Sequence, residues 1–134
     1  MSLARRLIVP AAALAITALS ASSAFAAGSA AKGFEVFKGT CGVCHLARND
    51  MSKADAATKI GPNLYGVVGR TSGTLKGFHY SAAMRAAAVV WTPDMIRRYA
   101  QAPQKTIPSV RMSFPGLTKP QDADDVVAYL MTLK

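Results

Sequence analysis

The two cysteines of the chain lie in one five-residue motif, Cys41-Gly42-Val43-Cys44-His45. C-x-x-C-H is the pattern for covalent attachment of a c-type haem. In that chemistry each thiol adds to one vinyl group of the porphyrin, and the adjacent imidazole reaches the iron from one side. One turn of helix holds both thiols at this spacing and directs His45 to the metal. The motif therefore predicts one haem c, bound through Cys41 and Cys44, with His45 as an axial ligand.

Three other interpretations of the motif compete with haem attachment. A C-x-x-C pair is also a thioredoxin-like redox couple, but that motif occurs near a βαβ pattern, and none follows here. A structural zinc site usually takes four side-chain ligands, which would require Cys41, Cys44, His45 and the distant His79 together. A structural disulfide is compatible with an exported protein. The spacing and the adjacent histidine favour haem attachment over these alternatives.

The first 26 residues have the features of a secretory signal peptide. A basic start with Arg5 and Arg6 precedes an apolar, alanine-rich run, and Ala24-Phe25-Ala26 then supplies small residues for cleavage. The run is interrupted by a proline and is shorter than the roughly 20 residues of a spanning helix. We expect cleavage after about Ala26, export to the periplasm, and one domain over residues 27–134. Retention of the leader as a membrane anchor is the alternative.

The part of the chain after the leader is strongly basic. The leader contains two of the 16 basic residues and none of the seven acidic ones, so the remaining 108 residues carry a net charge of +7. A basic surface suits nucleic acid, an anionic membrane or an acidic protein. Export argues against nucleic acid, and the sequence has no run of five like charges that would indicate a polybasic tail. An acidic redox protein is therefore the expected partner.

Apolar periodicity and capping residues predict an all-α fold of about four to five short helices, with long loops and no strands. Ser81 and Thr92 are the expected N-caps of two helices, and Pro93 follows at a first helical position. Thr118 and Gln121 form a capping-box pattern before the last helix. The predicted helices comprise residues 30–40, 81–88, 92–102 and 118–134, with a loop over 104–117.

An axial histidine leaves a second axial position at the iron, for which methionine and histidine are the usual protein ligands. Met112 is favoured because it lies in an irregular, proline-containing loop, 67 residues after His45. That separation allows the chain to fold over to the opposite face of the haem. His79 and an open position are the alternatives. The remaining methionines are expected to fill the core or to lie too near the motif: Met51, Met84, Met95 and Met131.

From Gly33 to Lys134 the chain resembles the class I c-type cytochromes, the small single-haem family that includes mitochondrial cytochrome c and its bacterial periplasmic relatives. This resemblance implies the small cytochrome c fold around one haem, with His45 and Met112 as its two axial ligands. The order and spacing of the matching residues are more specific than the motif alone. Those residues are Gly33, Phe37, C-G-V-C-H, Gly61-Pro62-Asn63-Leu64, Gly69-Arg70, Gly77-Phe78-His79-Tyr80, Trp91, Tyr99, Pro103, Ile107-Pro108, Met112, Phe114 and the helix from Val126 to Leu130.

The resemblance also implies how the haem is held on the histidine side and at its propionates. Pro62 would offer its backbone carbonyl to the second ring nitrogen of His45, the kind of bond that orients an axial imidazole. Arg70, Tyr80 and Trp91 would hydrogen-bond a buried haem propionate.

On the methionine side, the resemblance places Tyr99 near the sulfur of Met112 and Phe114 over the haem beside its exposed edge. The chain departs from the family in the loop before the sulfur. The family often has P-G-T-K-M, whereas residues 108–112 are P-S-V-R-M. Because Val110 has no hydroxyl, it cannot make the hydrogen bond that a threonine would make there.

The function implied by the resemblance is that of a soluble, monomeric one-electron carrier rather than an enzyme. Its donor would be a cytochrome bc complex or a dehydrogenase, and its acceptor an oxidase, a reductase or a photosynthetic reaction centre, with only peripheral membrane contact. Lys59, Lys105, Arg111 and Lys119 are expected to form a basic rim, and Gln104 replaces one lysine of the mitochondrial form. The alternatives are a haem enzyme or gas-binding protein with an open sixth site, and a dedicated subunit of one dehydrogenase.

Overall fold

A computed structural model describes residues 28–50, 52, 55 and 58–134. The leader, residues 1–26, and Met51 lie outside the described residues. A 3-10 turn, Cys41–Val43, follows the first helix, and within the described part the only β feature is an isolated bridge between Thr71 and Val90. The all-α prediction is confirmed. The described ranges contain five α-helices: α1 Ala30–Gly39, α2 Ala82–Ala87, α3 Pro93–Gln101, α4 Pro103–Thr106 and α5 Pro120–Met131.

Helices α2 and α3 begin where their capping residues predict. The hydroxyl of Ser81 accepts a hydrogen bond from the backbone N–H of Met84 at 3.1 Å, and that of Thr92 accepts from Met95 at 3.2 Å. Pro93 occupies the first turn of α3, where its missing N–H costs nothing. Both N-caps are therefore confirmed.

The loop predicted over residues 104–117 is only partly correct. Its first residues belong to α4, which begins at Pro103 and ends at Thr106. Pro103 ends one helix and starts the next, because a proline is disfavoured after a helical residue but suits the first turn of a new helix.

The capping box predicted at the start of the last helix is wrong. The N-cap is Lys119 rather than Thr118, and it makes no side-chain cap bond. Pro120 stands at the first helical position, where its fixed φ is suited to a helix. The amide of Gln121 donates instead to the carboxylate of Asp125 at 3.0 Å, one turn further along α5.

Helices α1 and α5 cross in close contact, and α3 packs against α5. At the crossing, a Cβ on Gly33 would lie 1.9 Å from the carbonyl oxygen of Asp125, so only glycine permits this approach. The Asp125 side chain is buried, and it accepts a hydrogen bond from the backbone N–H of Ser29 at 2.7 Å. The buried apolar core comprises Phe37, Val67, Met84, Trp91, Ile96, Ile107, Val110, Leu117, Ala123, Val126, Val127 and Leu130.

The segment around Gly69 and Arg70, before α2, is tied to the segment that precedes α3. The backbone N–H of Gly69 donates to the carbonyl of Trp91 at 3.0 Å, and the N–H of Trp91 donates to the carbonyl of Arg70 at 2.9 Å. These bonds bring Arg70 and Trp91 together although they are far apart in sequence. No helix among the described residues has the length and apolar character needed to cross a membrane.

Candidate haem site

The C-x-x-C-H motif forms a compact 3-10 turn directly after α1. The backbone N–H groups of Cys44 and His45 both donate to the carbonyl of Cys41, at 3.0 and 2.9 Å. Both cysteines are half-buried free thiols, and burial raises the pKa of the Cys41 thiol to about 11. Two unpaired thiols and an imidazole therefore lie on one short turn, the set of groups that haem attachment requires.

A lysine from outside the motif bonds the carbonyls of this turn. The ammonium of Lys59 donates to the carbonyl oxygen of Gly42 at 2.6 Å and lies 3.3 Å from that of Val43. These carbonyls are near the end of a helical turn, where a cation is favourable. The sequence predicts Lys59 only in the basic rim, because no local pattern connects it with residues 16 or 17 positions earlier.

The imidazole of His45 is held in one orientation. Its Nδ1 lies 2.7 Å from the carbonyl oxygen of Pro62. Because a carbonyl only accepts, Nδ1 carries the proton and Nε2 keeps its lone pair. Gly61 lies against the ring, and a Cβ on it would be 2.4 Å from Cε1 of His45.

Burial keeps His45 neutral. Loss of solvation lowers the pKa of His45 below its ordinary value of 6.5. The hydrogen bond to Pro62 opposes this shift, and the nearby charge of Lys59 adds to it. A neutral imidazole whose second nitrogen is hydrogen-bonded to a backbone carbonyl is the form in which histidine binds a metal.

No group of three or more His, Cys, Asp or Glu side chains in the described part of the chain could hold a metal ion. His79, the fourth ligand that a zinc site would need, is exposed. Its backbone carbonyl accepts a hydrogen bond from the guanidinium of Arg111. The geometry of the described residues thus offers one axial imidazole and two thiols, which suit a haem rather than a tetrahedral zinc site.

Arg70 lies half-buried near Tyr80. Its guanidinium donates to the carbonyl oxygens of Asn63 at 3.0 Å and Tyr65 at 3.3 Å. Burial lowers the pKa of Arg70, an effect that the neighbouring Tyr80 opposes. None of the ion pairs among the described residues includes Arg70, so this desolvated cation suits a bound carboxylate such as a haem propionate.

Trp91 and Tyr99 form an edge-to-face pair, with ring centroids 5.0 Å apart. The hydroxyl of Tyr99 is buried and has no hydrogen-bond partner among the described residues. Burial also raises the pKa of this phenol to about 12. A buried hydroxyl without a hydrogen-bond partner is costly. The Tyr99 hydroxyl is therefore expected to gain a polar or polarisable neighbour when a cofactor is bound.

Met112 and Phe114 lie in the loop between α4 and α5, both half-buried against the hydrophobic core. Met84 is confirmed as a core residue, with 9% of its surface exposed. The prediction that Met131 fills the core is wrong, since 46% of its surface is exposed. Met95 is half-buried against the core from α3.

Comparisons with known proteins identify the family of the chain. The family model of cytochrome c matches residues 30–134. Cytochrome c2 of Rhodopila globiformis is 41% identical over 107 residues, which are 80% of this chain and 95% of that relative. Cytochrome c of Trypanosoma brucei brucei is 53% identical over 75 residues, 56% of this chain and 81% of the relative. Among solved structures, cytochrome cH from Methylobacterium extorquens superposes with a TM-score of 0.67 at 32% identity, covering 78% of this chain and 99% of its own.

The chain belongs to the cytochrome c family, and its fold is that of a class I c-type cytochrome. Membership identifies the cofactor as a covalently bound haem c, for which Cys41 and Cys44 are the two thiols present. It also identifies the protein as a haem-containing electron carrier that exchanges electrons with other redox proteins.

Proposed function

We propose that the protein is a periplasmic one-electron carrier whose single haem has His45 and Met112 as axial ligands. The observation that carries this proposal is the hydrogen bond of 2.7 Å between Nδ1 of His45 and the carbonyl of Pro62, which leaves Nε2 free to bind iron. When bound, haem supplies a ferric–ferrous couple that takes up and releases one electron at a time. With both axial positions filled, the protein carries electrons without acting on a substrate, and it is not an enzyme.

The protein residues around the haem have distinct proposed roles. Cys41 and Cys44 fix the haem covalently, which keeps it in place through repeated encounters with partners. Arg70, with Tyr80 and Trp91, binds a propionate that would otherwise be a buried, unpaired charge. The half-buried guanidinium of Arg70, which has no carboxylate partner among the described residues, supports this role.

Tyr99 and Phe114 act on the methionine side in this proposal. Tyr99 would donate its hydroxyl, which has no hydrogen-bond partner among the described residues, towards the sulfur of Met112. Phe114 would cover the haem and limit the access of water. A thioether in place of a second imidazole favours the reduced state, so this ligation sets a high reduction potential.

Partner recognition is proposed to depend on charge. The 14 basic and seven acidic residues beyond position 26 give a net charge of +7. Exposed Lys105 and Lys119 are available to an acidic docking surface, and such complementarity speeds encounter more than it strengthens the complex. The proposed donor is a cytochrome bc complex or a dehydrogenase, and the acceptor an oxidase, reductase or reaction centre. The protein acts as a monomer in the periplasm, with residues 1–26 removed as a signal peptide.

Optical spectra of the haem-loaded protein test the ligand assignment. The ferric protein should show the weak long-wavelength band of a methionine–iron bond, and Met112→Ala should abolish it. Met131→Ala is the matched control, because Met131 is an exposed methionine away from the loop, and it should keep the band. A wild-type protein that lacks the band and binds carbon monoxide when reduced would instead support a haem enzyme or gas-binding protein with an open sixth site.

A further inference from the structure

The loop that carries Met112 is held by a side chain outside it, the amide of Gln104 in α4. Its Nε2 lies 2.8 Å from the carbonyl oxygen of Val110 and 3.3 Å from that of Met112. An amide nitrogen has two N–H donors and can therefore bond both carbonyls at once. Since Arg111 and the Cα of Met112 lie between these two carbonyls, Gln104 spans the backbone that carries the Met112 side chain.

The loop itself has few features that would stabilise this conformation. Ser109 has a φ of 64°, in the left-handed region that is unfavourable for a residue with a Cβ. Val110 is buried, and its side chain has no group that can hydrogen-bond. The loop conformation therefore depends on contacts with the rest of the protein.

Gln104 is well placed to provide such a contact because α4 is fixed in the core. Pro103, the first residue of α4, and Ile107, which directly follows it, are both buried. The N–H of Ile107 donates to the carbonyl of Pro103 at 2.9 Å. The loop also makes a contact of its own, since the guanidinium of Arg111 donates to the carbonyl of His79. The loop is thus held by two sets of polar contacts, those of Gln104 and that of Arg111.

We infer that Gln104 is a positioning residue that keeps Met112 in its ligating position. The inference rests on the proposed ligation of iron by Met112. The loop that carries Met112 is in equilibrium between a closed and an open state, and it must open before another ligand reaches the iron. The two amide hydrogen bonds of Gln104 oppose that opening. An external ligand therefore reports how often the loop is open, because its apparent affinity scales with the open fraction.

Imidazole binding to the ferric, haem-loaded protein measures this equilibrium. Gln104→Glu keeps the shape of the side chain but replaces the donor nitrogen with an oxygen that repels both carbonyls. Loss of the two partly exposed hydrogen bonds should make imidazole bind about 3- to 10-fold more tightly. Gln104→Ala, which removes the whole amide without adding a charge, should change the affinity in the same direction.

Gln121→Ala is the matched control, because the Gln121 amide also donates one hydrogen bond, to Asp125 at 3.0 Å, but does so within α5. It should leave imidazole affinity unchanged. Equal affinity in wild type and both Gln104 variants would overturn the inference, as would an equal increase in the Gln121 variant. A wild-type protein without the methionine–iron band would refute the ligation itself, and the spectrum recorded before imidazole is added distinguishes that result.

Discussion

Gly61 is the position where one added carbon should disturb the haem site most directly. A Cβ at this residue would lie 2.4 Å from Cε1, 2.6 Å from Nδ1 and 2.9 Å from Nε2 of His45. Carbon atoms in contact are usually about 3.5–4.0 Å apart. In Gly61→Ala the ring and the loop must therefore separate by about 1 Å or more.

The expected loss of stability follows from this displacement. The backbone of Gly61 does not lie in the left-handed region, so the cost is steric rather than torsional. A separation of about 1 Å would stretch the His45–Pro62 hydrogen bond from 2.7 Å past the range of a good bond. Overpacking costs about 1–3 kcal/mol and the lost bond about 1 kcal/mol. We therefore expect Gly61→Ala to lower the free energy of unfolding by roughly 2–4 kcal/mol.

Thermal unfolding and optical spectra of the haem-loaded protein measure the two consequences. The Tm should fall by roughly 10 °C or more, and the spectrum should show weakened ligation by His45. Gly39→Ala is the matched control, since a Cβ at Gly39, the last residue of α1, would have no atom within 4 Å. If Gly61→Ala unfolds at the same temperature as Gly39→Ala and has the wild-type spectrum, the close packing of Gly61 on the axial histidine is refuted.

Two further predictions concern stability away from the iron. Asp125→Asn should lower the free energy of unfolding by about 2 kcal/mol at pH 7, because hydrogen bonds to a charged group contribute about 1.5–3 kcal/mol. The hydrogen bonds from Ser29 and Gln121 hold the pKa of Asp125 below its ordinary value of 3.8. The contribution of the Asp125 carboxylate to stability is therefore fully present above pH 3.8 and is lost as the pH falls through the lowered pKa. In urea unfolding, the difference in stability between wild type and Asp125→Asn should be smaller at pH 3 than at pH 7. An equal difference at the two pH values would contradict this prediction. Ala88→Gly should raise the free energy of unfolding by about 0.5–1 kcal/mol, because Ala88 is the C-cap of α2 and has a φ of 45°. The control, Ala86→Gly inside the same helix, should lower the free energy of unfolding by about 1 kcal/mol. Equal effects of the two substitutions in urea unfolding would show that the left-handed cap is not strained.

Signals between residues close together in the chain were sufficient to predict much of this protein. The C-x-x-C-H motif identified the cofactor from five adjacent residues, and Ser81 and Thr92 identified two helix starts from single hydroxyls. The prediction of a capping box at Thr118 was wrong although the sequence pattern is present. Pro120 suits the first helical position, and the Gln121 amide bonds Asp125 instead of the cap, so the helix starts later.

The sequence by itself therefore determined the haem chemistry, the all-α class and the helices whose caps lie beside them, since these depend on a few consecutive residues. Tertiary structure decided which groups from distant segments contact the motif and the methionine loop. Lys59 contacts the turn from 16 and 17 residues away, and Gln104, although its residue is exposed, bonds the carbonyls of Val110 and Met112. Such bonds form only when separate segments are brought within about 3 Å, a distance that sequence spacing does not encode.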